Sequence, residues 1–271
     1  MSTVTTNSRT SPAPTPRLAA AADGAARPVP FARLVRVELR KQVDTRAGAW
    51  LLGVIVAVNV GFILLTLFNA EPQYLTWLEL TGASSWGQML LLPLIGIMAA
   101  TSEWSQRTAL TTFALEPRRT RVNLAKLTSA VGLGVVVMVL ALAAGAVFNV
   151  VGLVWRDGDG SWAMEWAVLA GMSLSLLILV TQGVAFGLSL LSTPVAIVAY
   201  LGLPTVWSVL TMVVSTLRGP AEWLDLNTAV LPLMAGEMTG DAWARLGTSA
   251  AVWVLLPLTF GLWRTARRDV A

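Results

Sequence analysis

Apolar residues gather in six long runs separated by short polar or charged connections, at approximately 47–68, 83–101, 128–155, 163–191, 195–215 and 246–263. A helix rises about 1.5 Å per residue, so roughly 20 apolar residues cross a hydrocarbon core about 30 Å thick. All six runs are near that length, and the third and fourth can also tilt or project into the headgroups. The pattern predicts an all-α membrane protein whose residues 47–271 form a domain of six transmembrane helices. Residues 31–46 carry a different pattern. Phe31, Leu34, Val35 and Leu39 share one helical face, and Arg33, Arg36 and Arg40 the other, with Lys41 following. This two-faced pattern favours an amphipathic interfacial helix, arginines toward anionic lipid, over a plain charged flank. Glu38 falls on the apolar face, where a carboxylate is costly unless paired. Residues 1–30, rich in Ser, Thr, Pro and Ala with no continuous apolar core, read as a disordered tail rather than a signal peptide.

The segment 216–245 is apolar but broken by Pro220, Pro232 and Gly236. It is too interrupted to span, and reads as a short re-entrant or interfacial helical hairpin between helices five and six. Trp50, Trp86, Trp104, Trp155, Trp162, Trp166 and Trp263 fall near expected helix ends, the depth indole prefers. Trp207 and Trp253 fall deeper and are expected to pack between helices.

Composition agrees with a membrane chain: 55% of residues are hydrophobic and 13% charged, against about 25% charged in soluble domains. Sixteen of the 19 Lys and Arg lie before the first helix, between helices two and three, or after helix six. The positive-inside rule then places both termini of a multi-pass membrane protein in the cytoplasm. The net charge of +4 comes from basic residues flanking apolar runs rather than from a free-standing patch. That argues for a membrane-lipid surface and against nucleic acid.

The chain has neither cysteine nor histidine, which excludes disulfides, thiolate metal sites and Ser-His or Cys-His catalysis. No catalytic, cofactor or metal residues are assigned, and the chain is not expected to be an enzyme by itself. No Gly-x-x-x-x-Gly-Lys-[Ser/Thr] loop is present for ATP. Asp, Glu, Lys and Arg are nearly absent from the middle of the spans, which argues against a self-powered carrier. Any energy would come from elsewhere.

Two motifs remain. The inward loop at about 102–127 places Glu103 and Arg107 at i,i+4, with Pro117 ending the local helix. By spacing alone it is a solvated loop with one ion pair, worth about 0.3–0.5 kcal/mol. Its side chains Trp104, Phe113 and Leu115, ringed by Arg107, Arg118 and Arg119, could anchor a cytoplasmic protein. Gly183-x-x-x-Gly187 permits close helix approach, with packing inside the chain the simpler reading. Asn59, Asn149 and Gln182 could line a path, though such amides more often bond across helices.

Three stretches resemble the ABC-2 family of transporter permeases, in its actinobacterial type. Val35-Arg-Val-Glu-Leu-Arg-Lys-Gln-Val-Asp-Thr-Arg46 resembles the family's opening pattern. Ser102-Glu-Trp-Ser-Gln-Arg-Thr108, with Glu116-Pro-Arg-Arg-Thr-Arg and Ala125-Lys126, resembles its loop between spans two and three. Leu224-Asp-Leu-Asn-Thr and Leu262-Trp-Arg-Thr-Ala-Arg-Arg resemble its last external segment and tail. Arg107 stands where the family commonly has Gly. The resemblance implies a type V exporter-like transmembrane domain that pairs with a second permease chain, identical or homologous. It implies docking of a cytoplasmic ABC ATPase subunit carrying ATP-Mg, with Glu103–Leu115 as the coupling helix and Phe31–Val43 as the connecting helix. The alternative is a non-transporting scaffold or immunity protein of the same fold.

Overall fold

The computed structural model describes residues 29–268, so the expected tail, apart from Val29 and Pro30, and residues 269–271 lie outside the described residues. Every regular element among them is helical. α1 (Phe31–Asp44) leads into α2 (Arg46–Asn69), followed by α3 (Trp77–Ser105), α4 (Ala109–Leu115), α5 (Arg119–Arg156), α6 (Trp166–Leu190) and α7 (Thr193–Val213). Three short helices follow, α8 (Arg218–Leu224), α9 (Leu226–Ala229) and α10 (Leu231–Met234), and then α11 (Gly240–Ala250) and α12 (Leu256–Arg267). A π-helical turn, Ala251–Leu255, joins the last two into one rod.

Six helices are long and apolar enough to cross a membrane: α2, α3, α5, α6, α7 and the α11–α12 rod. They run alternately up and down. Their outward sides carry Val54, Leu65, Val139, Val147, Val198 and Val206, all exposed. A bilayer solvates such a surface, whereas water would not. The chain is a multi-pass α-helical membrane protein by this measure.

Two helices start well before their apolar runs. α3 begins at Trp77 because Thr76 caps it, its side chain accepting from Glu79 N at 3.2 Å. Trp86, expected near a helix end, therefore sits nine residues inside α3. α5 begins at Arg119 and draws Lys126 into the packed helix.

α3 and α6 form the centre of the bundle, and small residues set their spacing. A Cβ on Gly183 would stand 2.0 Å from Pro93 O, one on Gly96 2.5 Å from Val180 O, and one on Gly187 2.6 Å from Ala100 Cβ. Gly183-x-x-x-Gly187 thus packs within the chain, against α3. Around this contact Leu92, Ile95, Ala99, Ala130, Val180 and Val184 form the main core. Pro93 has no N–H for the Met89 carbonyl four residues back. The Tyr200 hydroxyl of α7 donates to that carbonyl at 3.0 Å, so a broken helical bond becomes an interhelical one.

After α8, which packs on α11, α9 and α10 pack on α6. A Cβ on Gly171 would stand 1.7 Å from Leu233 O, and Leu226, Val230 and Leu233 share a core with Leu179. Leu179 lies about 20 Å along α6 from Trp166, at about 1.5 Å per residue, so the stretch descends beside the bundle rather than resting on its end. Trp253 donates its indole N–H to Leu224 O and stacks on Phe186 at 6.5 Å. Asn149 instead donates to Gly160 O and Ser161 O at 3.2 and 3.3 Å, tying α5 to its own connection.

Candidate functional site

The ends of α3, α5 and α12 converge with α1 and α4 at the charged end of the bundle. Four ionisable groups from three helices meet there. Lys41 donates to Glu38 Oε1 at 2.6 Å and to Glu103 Oε1 at 2.8 Å. Lys126 Nζ lies 3.2 Å from Glu103 Oε2 and 3.5 Å from Glu38 Oε2, and donates to Ala99 O at 3.1 Å. Thr112 of α4 adds its hydroxyl to Glu103 Oε1 at 2.9 Å. Glu38, Glu103 and Lys126 are 5%, 2% and 1% exposed, so each charge depends on the others for solvation.

Glu38 explains how α1 docks. The face turned to the bundle carries Leu34, Val35, Glu38 and Gln42, while Phe31, Leu39 and the arginines Arg33, Arg36 and Arg40 are exposed. The inward stripe is therefore centred on the carboxylate, not on the four apolar residues expected to share a face. Pairing with Lys126 and Lys41 offsets the burial of Glu38 and turns the helix toward it. Gln42 adds an amide bond from Nε2 to Ser129 Oγ at 2.7 Å, and Ser129 donates onward to Lys126 O at 2.9 Å. α1 then breaks at Thr45, whose hydroxyl caps α2 at Gly48 N, 3.1 Å away. A Cβ at Gly48 would come within 1.7 Å of Gln42 O, so only glycine permits this corner.

The loop after α3 differs from its expected form. Glu103 and Arg107 do not pair, because α3 ends at Ser105 and Arg107 takes a left-handed φ of 57°. Glu103–Leu115 is accordingly two helices and a tight turn rather than one coupling helix. Thr108 N returns to Glu103 O at 2.9 Å, folding α4 back under the end of α3. Phe113, a candidate anchor by sequence, is buried against Trp104 at 6.2 Å, with the Arg119 guanidinium 5.0 Å over its ring. Burial of its inward face holds α4 in place. Leu115 is 77% exposed and Leu110 55%, so these leucines, not Phe113, form the free apolar surface of α4. Arg107 and Arg118 are exposed beside it.

Arginines bind the platform to the rest of the charged end. Arg119 donates to Thr265 O at 3.1 Å and also to Arg268 O. Arg121 pairs with Glu116 at 3.1 Å and donates to Val29 O at 2.9 Å. Asn123 reaches Thr265 Oγ1 at 2.7 Å, and Arg268 lies over the Trp104 ring. The entry to α1, helix α4, the start of α5 and the end of α12 are therefore tied together by side-chain contacts. Sequence reasoning assigned Lys126 to the loop and missed it as the centre of the cluster, although its spacing after Arg119 and Val122 is helical.

No protein-family model, curated protein or solved structure matches this chain.

Proposed function

We propose that this chain is the membrane-spanning permease subunit of an ATP-driven ABC transporter, an exporter of the ABC-2 kind, in the bacterial plasma membrane with both termini cytoplasmic. A separate cytoplasmic ATPase docks on the charged end, and a second permease chain completes the transporter. The observation that carries the reading is α4. It is a short helix held by Glu103–Thr112 and Trp104–Phe113 at the mouth of the bundle, with Leu110 and Leu115 left facing outward. A partner can move the spans only through a segment that reaches it and is rigidly joined to them. The Glu38–Lys41–Glu103–Lys126 cluster supplies that join to α1, α3 and α5.

A second observation supports the resemblance. Arg107 stands where the family commonly has glycine, and its φ of 57° is the region glycine enters without steric cost. The turn has the glycine-type conformation even though the residue differs.

Affinity purification of the chain in mild detergent, with its partner identified and assayed, tests the reading. A copurifying ATPase whose turnover depends on this chain supports it. A purified chain that alone binds nucleotide saturably, or a partner set with no ATPase, contradicts it and favours the scaffold or immunity role.

A further inference from the structure

The connection between α7 and α11 dips into the bundle and comes back. On the way in, Glu222 of α8 pairs with Arg245 at 3.1 Å, and Leu224 O accepts from the Trp253 indole. The returning limb runs along α6: Leu226 shares a core with Leu179, Leu233 O lies against Gly171, and a Cβ at Gly236 would meet Val168. Residues 225–227 are therefore the deepest point. Asp225 and Asn227 line a groove there with Gln182, Pro204, Trp207 and Trp253. Leu190 and Trp263 mark the charged end, where Arg264 donates to Ser189 O. Gln182 is about 12 Å along α6 from Leu190, and Trp253 about 15 Å along the rod from Trp263, at about 1.5 Å per residue. The hydrocarbon core is about 30 Å thick, so Asp225 brings a carboxylate near its middle, from a connection rather than from a span.

The local role of Asp225 does not account for its charge. Oδ1 accepts from Asn227 N at 3.0 Å and Thr228 N at 3.2 Å, and Oδ2 from the Thr228 hydroxyl at 2.9 Å, so the side chain caps α9. Asparagine caps a helix about as well, without a charge. A carboxylate at membrane depth ordinarily has a cation beside it. Asp225 forms no ion pair among the described residues, and Arg245 is taken by Glu222. Asp225 is only half-buried, and Oδ2 has capacity for another donor.

The groove limits what that donor can be. The space open to the centre of a water-sized group is about 10 Å³, enough for one such group. A primary ammonium has that size, whereas a trimethylammonium is too large. A metal ion takes several oxygen ligands, and no group of three acidic residues that could hold one occurs among the described residues. Trp207, half-buried in the wall, belongs to the residue type that attracts cations most strongly. Leu203 and Leu210, one turn to either side of Trp207 on α7, are exposed and offer an apolar track for the rest of the molecule.

We propose that Asp225 is the counter-ion of a primary-ammonium amphiphile, whose head sits in the groove against Asp225 and Trp207 and whose apolar chain lies along Leu203 and Leu210. The site stands whether or not the chain belongs to a transporter.

The test uses the full chain in phosphatidylcholine nanodiscs and a long-chain primary alkylamine carrying a diazirine close to its head. Photolabelling is expected to saturate and to map to Leu203, Trp207 or Leu224. Unlabelled alkylamine competes; the alcohol and the trimethylammonium of equal chain length compete at least about ten-fold more weakly, the effect of about one hydrogen bond to a charged group. Asp225→Asn keeps the cap, so the thermal midpoint is expected to hold while the amine loses its advantage over the alcohol. Unsaturable label spread over bilayer-facing positions such as Val139 and Val198 overturns the proposal. An Asp225→Asn variant that still prefers the amine overturns it, as does equal competition by either analogue in the parent chain. The headgroup series on the parent chain decides even where the variant does not assemble.

Discussion

Lys126 Nζ lies 3.2 Å from Glu103 Oε2, with both side chains almost entirely removed from solvent. The pair joins the end of α3 to the start of α5, and Glu38 and Lys41 extend it to α1. Removing one member of such a group leaves an unbalanced charge in a medium that solvates it poorly. We predict that Lys126→Met destabilises the protein by roughly 3–5 kcal/mol, read as a lower thermal midpoint in detergent. Glu103→Gln combined with Lys126→Met is expected to be milder than Lys126→Met alone, because it removes the stranded carboxylate. Additive losses would show that the two groups do not depend on each other.

Lys41 gives the cluster a pH limit. Burial lowers its pKa, but the Glu38 and Glu103 carboxylates outweigh burial and hold it above the ordinary 10.5. A lysine raised on folding contributes stability that is whole below its unfolded pKa and lost as pH rises through the folded value. The docking of α1 is thus expected to be unchanged from neutral pH to 10.5 and to fail only above it. A cysteine at Val35, half-buried against the bundle, should become reactive to thiol reagents in that alkaline range. Lys41→Met should expose it already at neutral pH. Exposure beginning well below 10.5 in the parent chain would contradict the role given to Lys41.

Helix spacing can be tested at two glycines. Gly183→Ala forces a methyl to within 2.0 Å of Pro93 O, while Gly202 has open space around its Cβ position. Gly183→Ala is expected to cost several kcal/mol, of the order of other overpacked cores at about 1–3 kcal/mol or more, and Gly202→Ala to leave stability within about 0.5 kcal/mol. Equal thermal midpoints for the two variants would mean that α3 and α6 do not touch at Gly183.

Orientation is open to labelling, since the chain has no cysteine of its own. Gly158 and Gly236 mark the connections expected outside, but both are poor sites. A Cβ at Gly158 meets Gly152 O at 3.1 Å, and Gly236 has a φ of 73°. The exposed neighbours Asp159 and Glu237 are better. Cysteines there are expected to react with an impermeant reagent in intact cells, and a cysteine at Arg107 only after lysis. The reverse pattern would invert the topology.

The spans were legible because apolar runs of membrane-crossing length leave little choice of structure. Their polar extensions were less so. Thr76-Trp-Leu-Glu79 is a capping pattern that would have placed the start of α3 at Trp77. Those first turns of α3 are polar enough to lie outside the apolar run, which is why Trp86 falls at the edge of the run and yet inside the helix. Lys126 likewise precedes the apolar run of α5, although the helix begins at Arg119. Glu38 was legible as a carboxylate needing a partner, but its partner lies on α5, and contact across that sequence distance is set by tertiary packing alone. Phe113 and Leu115 were indistinguishable as anchors: which side of a seven-residue helix faces inward depends on Trp104 and Arg119, neither of which is adjacent in sequence.

The docking role proposed for α4 rests on Leu110 and Leu115, and copurification from mild detergent measures it most directly. The chain is expected to bring down a cytoplasmic ATPase. Leu110→Asp with Leu115→Asp should abolish that capture while leaving the thermal midpoint of the membrane domain unchanged, because both side chains face outward. Phe113→Ala should weaken capture and lower the midpoint together, because its ring is packed under Arg119. An ATPase retained in full by the double aspartate variant, or no ATPase captured by the parent chain, would contradict the account.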